Sequence, residues 1–297
     1  MEFTEFINTL QEKVQDKLGD TYSVSKHECV KNNSKKLTGL AIKSNDSNIA
    51  PTIYLNDYFN DYNGDIDNVV DDIIRIYMKN KNNQPACANA DKFTDFNWVK
   101  DHIIFKLVNT EKNKDLLSGV PHRDMMDLSV IYAVDMGNVN QCMTSVTIRN
   151  EHIALWNVTE NDLMNYALKN MPESYPYELT DINTMLMSLG MPVAMLPQDI
   201  IPMYIMTNKS RVNGASTILY EGLLNKIAKE LKTDLYIIPS SIHEIIIIPK
   251  GAYGDKNSPV NDLIQIIKDV NRTEVSEEEI LSDTLYEYTK SYGLNIA

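Results

Sequence analysis

The chain has 297 residues, of which 43% are hydrophobic and 23% are charged, and it contains 11 glycines and 11 prolines. This composition is typical of a folded globular protein, so it excludes disordered, fibrous and collagen-like chains. The formal net charge of −13, from 28 basic and 41 acidic side chains, disfavours nucleic acid as a partner because an acidic surface repels phosphates.

The first part of the chain predicts helices around a small meander. Residues 4–19 carry apolar side chains at the spacing of one helical face, and Gly19 supplies a stop. Three short β-branched segments bounded by turn residues then predict antiparallel strands at 22–30, 37–43 and 50–55. Residues 65–80 form the clearest apolar stripe, with Asp65 or Asp67 near the cap. Residues 96–109 continue a helical pattern and predict a further helix.

The middle of the chain predicts a long hairpin followed by a helix. Residues 125–159 alternate as two strands with a turn near Gly137 and Asn138, and a short strand is expected from Ile153 to Trp156. A helix should begin at Thr159, where Asp162 completes an approximate capping box. Five prolines predict a loop-rich connector over 172–202.

The last part predicts a β-α-β-β-α-β order. A strand at 203–207 leads to a helix from about Gly214 to Lys232, then to strands at 235–239 and 243–249, a helix at 260–270 and a final strand near 284–290. The expected fold class is α+β, with antiparallel sheets and helices packed on one face. We expect an N-terminal region over 1–115 and a C-terminal region over 116–297, an arrangement compatible with packing as one unit.

Location and redox state follow from what the sequence lacks. The N-terminus has no cationic start followed by an apolar stretch, and no apolar run approaches the roughly 18 residues that span a bilayer. We therefore expect a cytoplasmic protein without a membrane partner. Cys29, Cys87 and Cys142 are odd in number and widely spaced, so we predict reduced thiols rather than disulfides or a zinc site. No metal and no cofactor is predicted.

Residues 239–248 form the first candidate site, with two serines, a histidine and a glutamate before four isoleucines. In a regular strand Ser241 and His243 share one side, whereas Ser240 and Glu244 share the other, so His243 and Glu244 cannot pair directly. A catalytic dyad of Ser241 and His243 is conceivable but lacks an orienting third group. The favoured interpretation is the polar entrance to a buried strand.

Residues 118–127 form the second candidate site. His122 and Asp124 lie on one side of an extended segment, and Arg123 adds a guanidinium that could bind an anion. A metal site would need three or four converging ligands. The favoured interpretation is a loop-to-strand junction held by hydrogen bonds of Arg123 and Asp127.

A third candidate lies between a strand and a helix. Lys209, Arg211, Asn213 and Gly214 surround a predicted helix start, where backbone N–H groups could hold an anion or an acidic group of a partner. The segment has neither the P-loop spacing nor a G-x-G-x-x-G pattern. The simpler alternative is that Asn213 and Gly214 only begin the helix.

Several segments resemble one protein family over nearly the whole chain and in the same order. They are "KNNSKKLTGLAIK", "NIAPTIYLNDYF", "PHRDMMDLSVIYAVDM", the run from "MYIMTNKSRVNG" to "SSIHEIIIIP", and "VNRTEVSEEEILSDTLYEYTK". These segments are similar to DUF5688, a family of uncharacterised proteins from gut-associated Firmicutes. The resemblance implies a bacterial, intracellular protein whose chain behaves as one unit. It implies no activity and no catalytic residue.

Two functional hypotheses remain open. The favoured one is a non-enzymatic cytoplasmic protein that binds a protein or a small ligand. The alternative is a hydrolase-like or metal-dependent enzyme that uses His122, Asp124, Ser241, His243 and Glu244, and it requires the two segments to meet in one cleft.

Overall fold

The structure of the protein is a computed structural model that describes residues 1–46, 50–81, 91–139, 142–188, 190, 201–253 and 260–297. The chain has the predicted α+β class, and it divides into two compact units, Met1–Ala88 and Asn89–Ala297. Among the described residues, no helix is both long enough and apolar enough to cross a membrane.

The first unit contains the predicted helices and meander. Its elements are α1 (Phe3–Leu18), β1 (Tyr22–Val30), β2 (Lys36–Ser44), β3 (Thr52–Tyr54), α2 (Asn56–Asn60) and α3 (Ile66–Asn80). The strands form an antiparallel sheet in the order β1-β2-β3. The Asp65 carboxylate caps α3 by accepting the N–H of Asn68 at 3.1 Å, as a helix N-terminus favours. Apolar side chains of α1, α3 and the sheet form one core.

The second unit contains two antiparallel sheets. Its first elements are α4 (Phe96–Val99), β4 (Ile103–Asn109), α5 (Lys114–Ser118), β5 (His122–Met125), β6 (Leu128–Val139), β7 (Cys142–Thr147), α6 (Asn150–Trp156), α7 (Glu160–Ser174), β8 (Tyr177–Asp181) and α8 (Ile182–Ser188). The remainder are β9 (Tyr204–Asn208), the 3-10 helix Gly214–Leu219, α9 (Leu223–Glu230), β10 (Leu235–Ile238), β11 (Ile245–Pro249), α10 (Val260–Thr273), β12 (Tyr286–Thr289) and β13 (Gly293–Ile296). One sheet has the order β4-β6-β5 with β7 also paired to β6, and the other has the order β13-β12-β10-β11-β9-β8.

The predicted helix at 96–109 is wrong over most of its length. Only α4 is helical, and β4 follows it after a short 3-10 turn. Every residue of β4 except Lys106 is buried, so its apolar side chains cover both faces of the strand and imitate a helical stripe. β4 pairs with β6 and lies with it in the compact unit Asn89–Ala297, whereas the domain boundary at 115/116 stays a prediction.

β6 and β7 form the predicted hairpin, but the predicted turn near Gly137 and Asn138 is wrong. Both residues belong to β6 and pair with Thr144 and Met143, and a register shift lies between Asp135 and Gly137. The expected strand from Ile153 to Trp156 is wrong, because α6 occupies that stretch. Local hydrogen bonds at residue 149 begin α6, and Asn157 ends it in the left-handed conformation. Asparagine tolerates that conformation better than most residues.

The capping box at Thr159 and Asp162 is confirmed, and α7 continues through Pro172 to Ser174. The predicted connector over 172–202 contains β8 and α8. Its residues 191–200 lie outside the described part of the chain, as does Cys87.

The predicted helix from Gly214 to Lys232 is instead a 3-10 helix followed by α9. The break lies at Gly222, whose φ of 71° begins α9 in the left-handed region, where glycine has no steric penalty. The Tyr220 hydroxyl fixes the break by donating to the carbonyl of Tyr175 at 2.7 Å.

The β-α-β-β-α-β order is confirmed for β9 through β12, but the two helices do not share a face. Leu224 and Ile227 of α9 share a core with Ile237 of β10. Leu263 of α10 packs in another core with Tyr236, the neighbour of Ile237. Since successive strand residues point to opposite faces, α9 and α10 cover opposite faces of this sheet, and the expectation of helices on one face is wrong here.

Candidate functional sites

The His122 and Asp124 candidates lie on β5, which among the described strands pairs with β6. Both side chains are exposed. His122 Nδ1 lies 3.0 Å from the carbonyl oxygen of Val120. Asp124 accepts the hydroxyl of Ser129 at 2.7 Å, and that hydroxyl also contacts Thr110 at 2.8 Å. Each side chain is therefore held by its immediate surroundings at the edge of the sheet.

Arg123 joins β5 to the start of α7. Its guanidinium donates to Glu160 at 2.7 Å and to Asn161 at 2.6 Å. Glu160 also accepts the hydroxyl of Tyr132. The Glu160 carboxylate raises the pKa of Arg123, whereas burial first and Glu160 second raise the pKa of Tyr132. The guanidinium is already paired, as the junction interpretation of this segment expects.

Ser241 and His243 lie just before β11, where the chain is not a regular strand. Ser241 is buried and bridges Ile280, and its hydroxyl accepts the N–H of His243 at 3.0 Å. His243 Nδ1 accepts the N–H of Asn213 at 3.3 Å, and its Nε2 lies 3.4 Å from Glu279. The imidazole therefore connects two loops, and the serine hydroxyl bonds to backbone rather than to the ring.

The two segments are held by different partners. Within the described parts of the chain, no hydrogen bond or ion pair joins His122 or Asp124 to Ser241, His243 or Glu244. A joint catalytic site at these five residues stays a prediction without a contact that supports it.

The anion-site candidates surround a tight turn. Lys209 is exposed, and its backbone N–H donates to Pro176. Arg211 and Asn213 both have positive φ, 56° and 52°. The helix that begins at Gly214 is a 3-10 helix of 6 residues, too short to provide the dipole of an α-helix.

Arg211 lines a cavity of about 50 Å³ together with Glu178 and Glu244. Two carboxylates beside one guanidinium give this cavity an acidic lining, which disfavours an anion. It has room for about one small group.

Gly214 is fixed by close packing. A Cβ atom there would lie 2.1 Å from Thr207 Oγ1 and 2.4 Å from the His243 carbonyl oxygen. Thr207 Oγ1 donates to that carbonyl at 2.8 Å. The glycine is therefore required for packing, which supports the simpler alternative at this segment.

Asp127 is the centre of a network. Its carboxylate accepts the hydroxyls of Ser282 at 2.6 Å, Thr284 at 3.1 Å and Tyr286. Burial first and the Asp127 carboxylate second raise the pKa of Tyr286. Sequence analysis anticipated hydrogen bonds from Asp127 but not its partners, which lie more than 150 residues away.

The first unit contains a cleft that sequence analysis missed. Its volume is about 310 Å³, and its lining is acidic and aromatic: Asp57, Tyr58, Asp61, Tyr62, Asn63, Asp65, Asn68, Val69 and Asp72. The sequence does carry a signal, because an Asp-Tyr pair occurs at 57–58 and again four residues later at 61–62. Residues four apart lie on one face of a helix.

Two of these carboxylates are free to bind a ligand. Asp65 caps α3, and Asp72 pairs with Arg75 at 2.6 Å. Asp57 and Asp61 are exposed, and no hydrogen bond or ion pair to their carboxylates occurs among the described residues. The cleft therefore combines a concave surface with available acceptors.

The described residues contain no group of three or more His, Cys, Asp or Glu side chains that could hold a metal ion. Cys29 is a free thiol that donates to the Tyr54 hydroxyl at 3.2 Å. Cys142 lies on β7, and its side chain is outside the described part of the structure.

Comparison with known proteins identifies a family but no activity. No curated protein and no solved structure matches the chain. The model of a family of unknown function, DUF5688, matches residues 3–290. Since the match covers nearly the whole sequence, the chain belongs to the DUF5688 family.

Proposed function

We propose that the chain is a binding module whose first unit receives a cationic group of a protein or small ligand. The observation that carries this proposal is the cleft in which the carboxylates of Asp57 and Asp61 have no hydrogen-bond or ion-pair partner among the residues that the structure describes. A lysine, a guanidinium or a polyamine nitrogen supplies the donors that these oxygens lack.

The aromatic residues of the cleft support the same ligand class. Tyr58 and Tyr62 are half-buried and line it, and aromatic rings attract cations through their π faces. Burial first and the Asp72 charge second raise the pKa of Tyr58, so its hydroxyl stays a neutral donor at physiological pH. The net charge of −13 attracts a cationic partner at long range.

Binding is favoured over the hydrolase-like or metal-dependent alternative. That alternative requires His122 and Asp124 to converge with Ser241 and His243, and their hydrogen bonds go elsewhere. We place the protein in the bacterial cytoplasm, which its three cysteines and the free thiol of Cys29 support.

Titration calorimetry of the whole chain tests the proposal with spermidine and with a lysine-rich peptide as probes. We expect binding that weakens as salt is raised, because exposed charges are screened. Exchanging Asp57→Asn together with Asp61→Asn should weaken binding about tenfold or more, about 1.4 kcal/mol.

The control is the pair Asp16→Asn and Asp20→Asn, which changes net charge equally at exposed residues that do not line the cleft. Equal weakening in both double variants, or no binding of either probe, would show that the cleft is not the site.

A further inference from the structure

Lys106 and Ser145 meet on one face of the first sheet of the second unit. Lys106 Nζ lies 2.7 Å from Ser145 Oγ. Lys106 is opposite Ile131, and Ser145 is opposite Asp135, on the two sides of β6. The side chain of Ala133 points to the same face between these positions, and its small size leaves room for the lysine to reach the serine.

The lysine lies in surroundings that favour its neutral form. Lys106 is the half-buried residue of the otherwise buried β4. Burial lowers its pKa, and the charge of Asp135 opposes this effect only in part. Asp135 forms no salt bridge with Lys106. Its oxygens accept the Gly137 N–H at 2.8 Å and the Tyr175 hydroxyl at 2.5 Å. Among the described residues, Ser145 is therefore the hydrogen-bond partner of the amine.

The serine lies on a free strand edge. β7 pairs with β6, and no other described strand pairs with it. The N–H of Ile148 donates to Tyr132 at 2.9 Å across that pairing. Backbone direction alternates along an antiparallel strand, so Val146 also faces β6, whereas the N–H of Ser145 faces outward. Ser145 itself is half-buried and thus accessible.

We propose that Ser145 and Lys106 form an acyl-transfer site for an extended peptide that adds to the free edge of β7. Strand addition is a common mode of peptide recognition, and it brings a carbonyl carbon past the serine. The outward N–H of Ser145 is available to donate to the carbonyl oxygen as negative charge develops on it.

The chemistry needs only these groups and water. Ser145 Oγ forms a bond to the acyl carbon while its proton passes to the neutral amine of Lys106. The C–N bond then breaks, and the departing amine takes that proton from Lys106. Water attacks the resulting ester and gives one proton to Lys106, which returns it to Ser145 Oγ as the acid leaves.

A fluorophosphonate probe on the whole chain tests this site, because it labels activated serines by losing fluoride. Mass spectrometry should locate the adduct on Ser145. Lys106→Met should slow labelling about 100-fold or more, the usual contribution of a general base. Ser118→Ala should leave labelling unchanged, because the exposed Ser118 hydroxyl donates only to the carbonyl of Asp115.

Lys106→Arg separates base chemistry from charge and packing. A guanidinium keeps the charge but has no neutral form at these pH values, so labelling should be lost in this variant as well. In the unsubstituted protein the rate should rise with pH to a midpoint below the ordinary lysine value of about 10.4. Absence of an adduct at Ser145 would overturn the proposal, as would undiminished labelling of either Lys106 variant.

Discussion

The Asp127 network of the second unit and the cleft of the first unit use the same side-chain types differently. Asp127 accepts hydroxyls from Ser282, Thr284 and Tyr286, whereas Asp57 and Asp61 lie beside two tyrosines without bonding to them. The first carboxylate is half-buried and the other two are exposed. The difference shows that burial and neighbouring donors, rather than residue type, determine whether these aspartates stabilise the fold or are available to a ligand.

The magnitudes support this distinction. Leaving a buried polar group without a hydrogen-bond partner costs about 1–3 kcal/mol of folding free energy. The hydroxyls around Asp127 therefore need its carboxylate as their acceptor. An exposed carboxylate bonds to water and contributes little to stability. Asp57 and Asp61 can therefore be substituted without unfolding the chain, which makes the comparison open to experiment.

The largest expected effect is that of Asp127→Ala. This change leaves the hydroxyls of Ser282 and Tyr286, two residues that are 1% and 0% exposed, without their Asp127 acceptor. We expect the free energy of unfolding to fall by about 3 kcal/mol, as measured by urea denaturation. Asp124→Ala on the same segment removes one hydrogen bond at an exposed side chain and should lower it by about 1 kcal/mol or less. Equal losses of stability in Asp127→Ala and Asp124→Ala would show that burial does not distinguish these two carboxylates.

A smaller loss is expected for Gly214→Ala, which tests packing rather than hydrogen bonding. The new methyl group would overlap Thr207 Oγ1 and the His243 carbonyl oxygen. We expect a loss of about 1–3 kcal/mol in the same denaturation assay. Gly119→Ala is the control, because its Cβ would lie 3.7 Å from the nearest atom and its φ is −107°. A stable Gly214→Ala variant would mean that this turn can shift.

Sequence reasoning found elements wherever a segment had one apolar face. It placed α1, α3 and the meander, because the helices carry one stripe and the short strands are bounded by turn residues. It failed at β4, where burial on both faces removes the alternation that marks a strand. It failed again at α9, because the left-handed position at Gly222 interrupts a continuous apolar stripe.

The sites were harder to predict because their partners are distant in sequence. The Lys106 and Ser145 contact joins strands 39 residues apart, and neither residue belongs to a recognisable motif. The sequence contains the repeated Asp-Tyr pair of the cleft, yet only the structure shows that Asp57 and Asp61 lack partners among the described residues whereas Asp65 and Asp72 have them. His122 and His243 were selected by residue type and spacing, but the structure holds them differently: His122 contacts the nearby Val120 carbonyl, whereas His243 bonds to Asn213 and contacts Glu279.

His152 is expected to make the free energy of unfolding depend on pH, with a smaller effect than that of the substitutions above. This half-buried imidazole packs against the rings of Phe93 and Trp156. Burial lowers its pKa, and Glu151 opposes this effect in part. The native state therefore binds a proton more weakly than the unfolded state. The free energy of unfolding should be highest above about pH 6.5, the ordinary histidine pKa, and should decrease as pH falls through it.

Urea denaturation between pH 8 and pH 5 measures this dependence. His152→Gln should flatten the curve, whereas His27→Gln, at an exposed residue of β1 in the first unit, should leave its slope unchanged. Like the aspartates, these two histidines compare a half-buried side chain with an exposed one, but here the measured quantity is the pH dependence of stability. A slope unaffected by His152→Gln would assign the pH dependence to other groups.

The smallest effect is expected for the two ion pairs between α1 and α3. Lys13 lies 2.8 Å from Asp67, and Lys17 lies 2.7 Å from Asp71, with all four side chains more than 40% exposed. Their mutual hydrogen bond raises the pKa of Lys13 and lowers that of Asp67, but water and salt screen such pairs. Lys13→Ala and Lys17→Ala should therefore give no resolvable change in urea denaturation. Leu10→Ala, at a fully buried residue of the same helix, should cost about 2–5 kcal/mol. A loss from either lysine variant comparable to that of Leu10→Ala would show that exposed charges hold this unit together.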